Sequence, residues 1–194
     1  LIGPVARLGI SIPISRWLLH RFIGIDKRRS LPSIARTTFP AWFHKRPLGP
    51  LAARPCNGSQ SSSSGRQVIL FHDTFMDYNE PHVGQSAVEI LEAAGSHVVL
   101  ANNVCCGRPM ISKGMLEQAR EHAMDNVHRL YPFARAGVPI IGCEPSCLLT
   151  LRDEYPDLLH TKESRVVAEN SFLLEEFLLK LKSEGQLNLS FNPL

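Results

Sequence analysis

From Gln67 to Gly185 the apolar residues follow two alternating rhythms. Short apolar runs bounded by polar residues, "QVILFHD", "HVVLAN" and "VPIIGC", predict three buried strands. Between them lie stretches with helical spacing. "EPHVGQSAVEILEAAG" places Val83, Ala87, Ile90, Leu91 and Ala94 on one face, with Asn79, Glu80 and Pro81 as its start and Gly95 as its stop. "SKGMLEQAREHAMDNVHRLYPFARAG" does the same with Met115, Ala119, Ala123 and Val127, Ser112 as the N-cap and Gly137 as the end. "PSCLLTLRDEYPDLL" predicts a short helix opened by Pro145, and "SRVVAENSFLLEEFLLKLKSEG" a single final helix. Strands alternating with helices predict an α/β fold, a parallel sheet with helices on both faces in the Rossmann manner.

Residues 1–65 break this rhythm. "LIGPVARLGISIPISRWLLHRFIGIDKRR" mixes apolar residues with arginine, and Asp26 is the one acid of the first 65 residues. It reads as a connector helix packing on a neighbouring domain, with an Arg-rich transit peptide or an interfacial helix at a membrane surface as the other readings. The Pro-rich and then Ser-rich stretch that follows reads as a flexible linker. The predicted organisation is thus a basic connector and linker over 1–65 and a cysteine-bearing domain over 66–194. That domain is expected to be cut short, because "LNLSFNPL" breaks off as a new β-like run begins.

With 44% hydrophobic and 20% charged residues, the composition is that of a globular chain, and a net charge of +3 gives no argument for nucleic acid. No apolar run approaches the ~20 residues that span a bilayer. The five cysteines are odd in number and unevenly placed, four in the centre and Cys56 in the linker, unlike a secreted disulfide framework. A reducing, cytoplasmic compartment fits better, with peripheral contact at the inner face of a membrane as the expectation attached to the basic segment.

The bunching acquires meaning once the strands are placed. In parallel sheets, ligands bind beyond the carboxyl ends of the strands. Three predicted loops leave those ends: "HDTFMDYNEP", "NNVCCGRP" and "CEPSC". Cys105, Cys106, Cys143 and Cys147 are therefore expected on one rim. Four thiols there suit a soft metal, either zinc or the iron of an iron–sulfur cluster. Gly107 permits close backbone approach and Arg108 adds positive charge. Cys147 falls in the first turn of a helix, where the dipole favours thiolate. Cys143, at a strand end, equally suits a buried apolar role, and Cys56 in the linker reads as incidental. Asp73 remains a candidate accessory group, and His72 reads as a structural histidine.

"VCCGRP" followed by "GVPIIGCEPSCLLTLRDEYPDLL" resembles the cysteine-rich CCG domain of heterodisulfide reductase, glycolate oxidase and anaerobic glycerol-3-phosphate dehydrogenase iron–sulfur subunits. "LFHDTFMDYNEPHVGQSAVEILEAAG" is similar to the same domain in long proteins that fuse an FAD-linked oxidase to iron–sulfur modules. The resemblance covers about Gln67 to Leu159. It implies a cluster of the 4Fe-4S type held by Cys105, Cys106 and Cys147, with Cys143 mapping loosely. It also implies a ferredoxin-like iron–sulfur module and a flavin oxidase domain or subunit as partners. Thr74 stands where the family has its first cysteine, and the closing pair is Cys-Glu-Pro-Ser-Cys, one residue longer than the family's Cys-x-x-Cys. Three thiolates with Asp73, Thr74 or an outside group are the ligands this leaves.

Two function classes follow. The first is an electron-transfer module of a flavin-linked oxidoreductase acting on a 2-hydroxy acid such as lactate or glycolate, with FAD outside this chain. The second is a structural zinc site or a degenerate docking domain without redox activity, which Thr74 favours. A dithiol catalyst built on Cys143 and Cys147 has the wrong spacing.

Overall fold

The computed structural model describes residues 13–26, 28–29, 32–46, 66–187 and 189. Its centre is a four-stranded, wholly parallel sheet in the order β2-β1-β3-β4, formed by β1 (Arg66–Phe71), β2 (Ser96–Leu100), β3 (Ile140–Gly142) and β4 (Ser171–Leu173). The α/β expectation is met, and the three predicted strands are the first three. β1 lies between β2 and β3, with Ile69 opposite both Val99 and Ile140. The chain leaves β1 on one side for β2 and returns across it to β3. This is the switch point at which the loops of a parallel sheet splay apart and a site can form.

Both faces of the sheet are covered, which is why its strands read as unbroken apolar runs rather than alternating ones. On one face Val68, Leu70, Val98 and Ile141 pack against α4 (Pro81–Ala93), which follows the one-turn α3 (Thr74–Tyr78). On the other face Ile69, Phe71 and Ile140 meet α6 (Leu116–Arg135), which contributes Ala123, Val127 and Leu130. α6 follows the short α5 (Arg108–Ser112). Ser112 thus closes α5 instead of capping the long helix, because Gly114 turns the chain at φ +71° before α6 begins.

The predicted final helix is two helices with a strand between them. α9 (Lys162–Glu169) stops at Asn170, β4 pairs with β3, and α10 (Leu174–Ser183) then returns over the first face with Phe177 and Leu181. The break lies in side chains that compete for helical carbonyls. Asn170 Nδ2 donates to Val166 O at 2.8 Å and Ser171 Oγ to Val167 O at 2.8 Å. The Asn170 carbonyl is released to accept from Ile140 N at 2.8 Å, which starts the new strand pair. Between β3 and α9 the chain runs as α7 (Pro145–Leu149), a π turn (Thr150–Glu154) and α8 (Tyr155–Leu159) without a break in helical backbone.

Part of the predicted connector and linker is built into this body. α2 (Phe39–Lys45) is capped by Thr38, whose hydroxyl accepts from Ala41 N. Phe39 is fully buried in the core shared by α4 and the sheet. Arg46 pairs with Glu92 of α4 at 2.7 Å and lies 3.9 Å above the Phe43 ring. Backbone bonds continue the attachment: Ala35 N donates to Tyr78 O, and Asn79 Nδ2 to Ser33 O. Further upstream, α1 (Pro13–Leu18) and the π turn Leu19–Ile23 leave Ile14, Trp17, Phe22 and Ile23 exposed. No helix among the described residues is long and apolar enough to cross a membrane.

A candidate thiol centre at the carboxyl rim

The carboxyl ends of β1, β2 and β3 carry three loops, and two of them bring sulfur to one point. Cys106, in the loop after β2, and Cys147, in the first turn of α7, are 41 residues apart, yet their sulfurs lie 3.1 Å from each other. Cys106 is buried and Cys147 half-buried, against the face of the sheet that α6 covers. The two thiols titrate as a pair. Hydrogen bonding from Cys147 lowers the Cys106 thiol to about 7; burial opposes this, and the Arg108 backbone N–H and the Cys105 side chain help it. The same bond, burial and the Cys106 charge push the Cys147 thiol up.

The hydrogen bond between the two sulfurs thus favours the thiolate on Cys106 over Cys147, the reverse of what the helix end alone leads one to expect. The N–H of Cys147 is engaged with Glu144 O, and the α7 N-terminus is capped by the Glu144 carboxylate, which accepts from Ser146 N and Oγ. What the helix end offers is already taken. Arg108 is likewise paired, to Glu154.

The other predicted groups are placed as follows. Cys105 is half-buried beside Cys106 and lends it the smaller lowering noted above. Cys143 packs on the opposite face of the sheet, in the core of α4 and α10. Burial, with the charges of Asp73 and Glu175, pushes its thiol up to about 12. Asp73 caps α3, accepting from Phe75 N at 2.8 Å and Met76 N at 3.0 Å. Thr74, the first residue of α3, is exposed. His72 holds the Asp77 carboxylate at 2.9 Å through Nδ1. Cys56 lies outside the described residues. Among the described residues, no three His, Cys, Asp or Glu side chains converge closely enough to hold a metal ion by themselves.

Beneath the thiols is a polar floor that the sequence pattern did not announce. Asn126 of α6 is fully buried. Its Oδ1 accepts from Val104 N at 2.9 Å, while Nδ2 faces the carbonyls of Val104 and Cys105 at 3.2 Å and the Tyr155 hydroxyl at 2.9 Å. Tyr155 in turn donates to the Cys106 carbonyl at 3.0 Å. Burial pushes that hydroxyl up and Asn126 only partly offsets it, so it remains a donor. His122 Nδ1 lies 3.1 Å from the Cys105 carbonyl. Gly107, at φ +85°, turns the chain where a Cβ would come within 3.4 Å of the Ala119 carbonyl of α6. A polar residue at position 126, inside the apolar stripe of 119, 123, 127 and 130, was the available signal. On the neighbouring side, Asn103 exchanges two hydrogen bonds with the His72 backbone and ties the β1 loop to the β2 loop.

A parallel α/β domain that gathers cysteines from separate loops at its carboxyl rim defines the class. The particular family that matches is the CCG cysteine-rich domain, whose model fits residues 69–152 of the chain. The chain is 31% identical over 194 residues to an anaerobic glycerol-3-phosphate dehydrogenase subunit of Escherichia coli (strain K12), and the match takes in 99% of this chain and 46% of that protein. It is 36% identical over 93 residues to lactate utilization protein A of Exiguobacterium sp., covering 47% of this chain and 36% of that protein. It is 27% identical over 124 residues to D-2-hydroxyglutarate dehydrogenase of Pseudomonas putida, covering 64% of this chain and 12% of that protein. The chain thus spans less than half the length of these relatives. No solved structure matches it.

Proposed function

We propose that this chain is the iron–sulfur, electron-transfer part of a dehydrogenase whose substrate is oxidised at a flavin in another domain or subunit. The observation that carries the reading is the meeting of the Cys106 and Cys147 sulfurs at 3.1 Å from two loops of a CCG domain. Soft thiolates suit iron in a cluster. Cys106 and Cys147 would hold the centre, with Cys105 adjacent. The remaining ligand would come from outside these residues, since the exposed Thr74 carries no thiol and Cys143 faces the other core. A cluster there would supply one-electron transfer; the cluster type we favour is 4Fe-4S.

The chain's own contribution is positional. The Asn126–Tyr155 floor fixes the backbone of Cys105 and Cys106, and burial of Cys106 limits water at the centre. The substrate we favour is a small 2-hydroxy acid or a related alcohol. Its support is that the relatives' names specify lactate utilization and the dehydrogenation of D-2-hydroxyglutarate and glycerol 3-phosphate. The natural partners on this reading are a flavin oxidase domain and a ferredoxin-like module. The four described cysteines are free thiols, which suits a reducing, cytoplasmic location.

Anaerobic reconstitution with iron and sulfide tests the assignment. The wild-type chain is expected to gain broad visible absorbance with iron and sulfide in similar amounts. Cys106→Ser and Cys147→Ser should lose it, whereas Cys143→Ser should keep it. A colourless wild-type protein carrying one zinc would overturn the redox reading, and equal loss in Cys143→Ser would overturn the choice of ligands.

A further inference from the structure

Cys147 and Tyr155 lie on the same continuous helix, eight positions apart, and both reach Cys106. A regular α-helix could not readily do this. At ~100° per residue, eight positions leave two side chains ~80° apart around the axis. A π turn inserts one residue into that count, so the pair behaves as if seven positions separated it, within ~20° of one line. The π turn Thr150–Glu154 lies between them, and Tyr155 N donates to the Thr150 carbonyl five residues back. Thr150 Oγ1 meanwhile donates to Ser146 O at 2.7 Å and satisfies a carbonyl near the start of the widened stretch. Glu154, the last residue of the turn, is tied to Arg108, two residues after Cys106. Arg152 is tied to Glu176 of α10 at 2.9 Å.

We propose that the π turn, Tyr155 and Asn126 together form a positioning device for the Cys-Cys-Gly loop, in which one helix grips Cys106 at its sulfur and at its carbonyl while α6 fixes the two peptides before it. Four hydrogen-bonding contacts converge on Val104, Cys105 and Cys106 from the fully buried Asn126 and Tyr155, and a fifth joins Asn126 to the Tyr155 hydroxyl. The device fixes Cys106, buried at the edge of the core under α6, with its sulfur beside that of Cys147 and the half-buried Cys105 next to it. Asn126 and Tyr155 are positioning residues that act through the backbone of the loop. The proposal rests on the iron–sulfur reading only for what the thiols bind; the grip on the loop is independent of it.

The test uses Tyr155→Phe and Asn126→Asp in the full chain, reduced and free of metal. Iodoacetamide labelling is resolved by cysteine with mass spectrometry. Loss of one buried hydrogen bond corresponds to roughly fivefold easier opening of the loop. Tyr155→Phe should therefore raise labelling of Cys105 and Cys106 about fivefold relative to Cys143, whose own rate stays at the wild-type value. Because Cys143 lies in the other core, global destabilisation would raise all the rates together, and that result would overturn the proposal.

Asn126→Asp, isosteric but stripped of its Nδ2 donors, gives a second reading should Tyr155→Phe fold poorly. The double variant should label no faster than the more reactive single one, because the residues act as a unit; multiplied effects would overturn that unit. After reconstitution, the variants should also show an altered electron paramagnetic resonance spectrum at unchanged iron content. Unaltered labelling ratios alongside a normal cluster would remove the device and leave the iron–sulfur reading standing. Raised ratios in a chain that binds no iron would do the reverse.

Discussion

The contact between Phe39 and Gly84 yields a prediction whose sign reverses with background. A Cβ at Gly84 would lie 2.5 Å from Phe39 Cδ2, 2.6 Å from Cε2 and 2.8 Å from Met76 Sδ. In an exposed helix, glycine to alanine gains about 1 kcal/mol. Here the added methyl presses on a fully buried ring, and overpacking costs about 1–3 kcal/mol. Gly84→Ala should therefore destabilise the wild-type chain by about 1 kcal/mol net.

Phe39→Ala alone should cost about 3–5 kcal/mol, as for other emptied aromatic sites. In that background the ring is gone and the flexible Met76 thioether can shift into the space. Gly84→Ala should then recover up to about 1 kcal/mol. The coupling between the two sites is about 2 kcal/mol, within the range for residues in direct contact. Urea unfolding of the four proteins, followed by circular dichroism and Trp42 fluorescence, measures it. Additivity within about 0.5 kcal/mol would show that Phe39 does not occupy this place in solution.

Two further predictions bear on the rim. Since Cys106 is lowered to about 7, its alkylation should rise from low pH and reach half its limit near pH 7, while Cys143, raised to about 12, stays slow throughout. Cys147→Ala removes the main lowering influence, so the Cys106 midpoint should move up toward the ordinary 9.0; an unmoved midpoint would refute the pairing. Gly142→Ala would place a Cβ 2.9 Å from Leu148 Cδ1 and 3.2 Å from Leu148 Cβ. It should cost about 1–3 kcal/mol in chemical denaturation and slow formation of a Cys106–Cys147 crosslink by a short bifunctional thiol reagent. Unchanged stability and crosslinking would show that α7 is free to shift.

The sheet was legible because its first three strands are buried on both faces and so write themselves as apolar runs. β4 has three residues, and its phenylalanine and leucine continue the spacing of the helices beside it, so hydrophobicity alone conceals it. The gathering of Cys106 with Cys147 followed from topology, since loops beyond parallel strands share one edge. The fate of Cys143 was also available, because side chains alternate along a strand and Cys143 shares the face of Ile141. The docking of Phe39 was not readable, as no local pattern connects it to a glycine 45 positions away. The lowering of the Cys106 thiol by its neighbour was missed for a different reason. A helix dipole is visible in sequence, whereas the sharing of a proton between two sulfurs depends on a contact that only the fold creates.

The bonds from Ala35 and Asn79 across the start of α4 make residues 32–46 a strap fastened to the loop that carries Thr74. Any dissection of the protein at Arg66 would discard that fastening and leave a ring-shaped hollow over Gly84. Dissection ahead of Pro32 would preserve both. The natural seam for grafting this domain onto another protein therefore lies well upstream of Arg66, where the strand pattern begins.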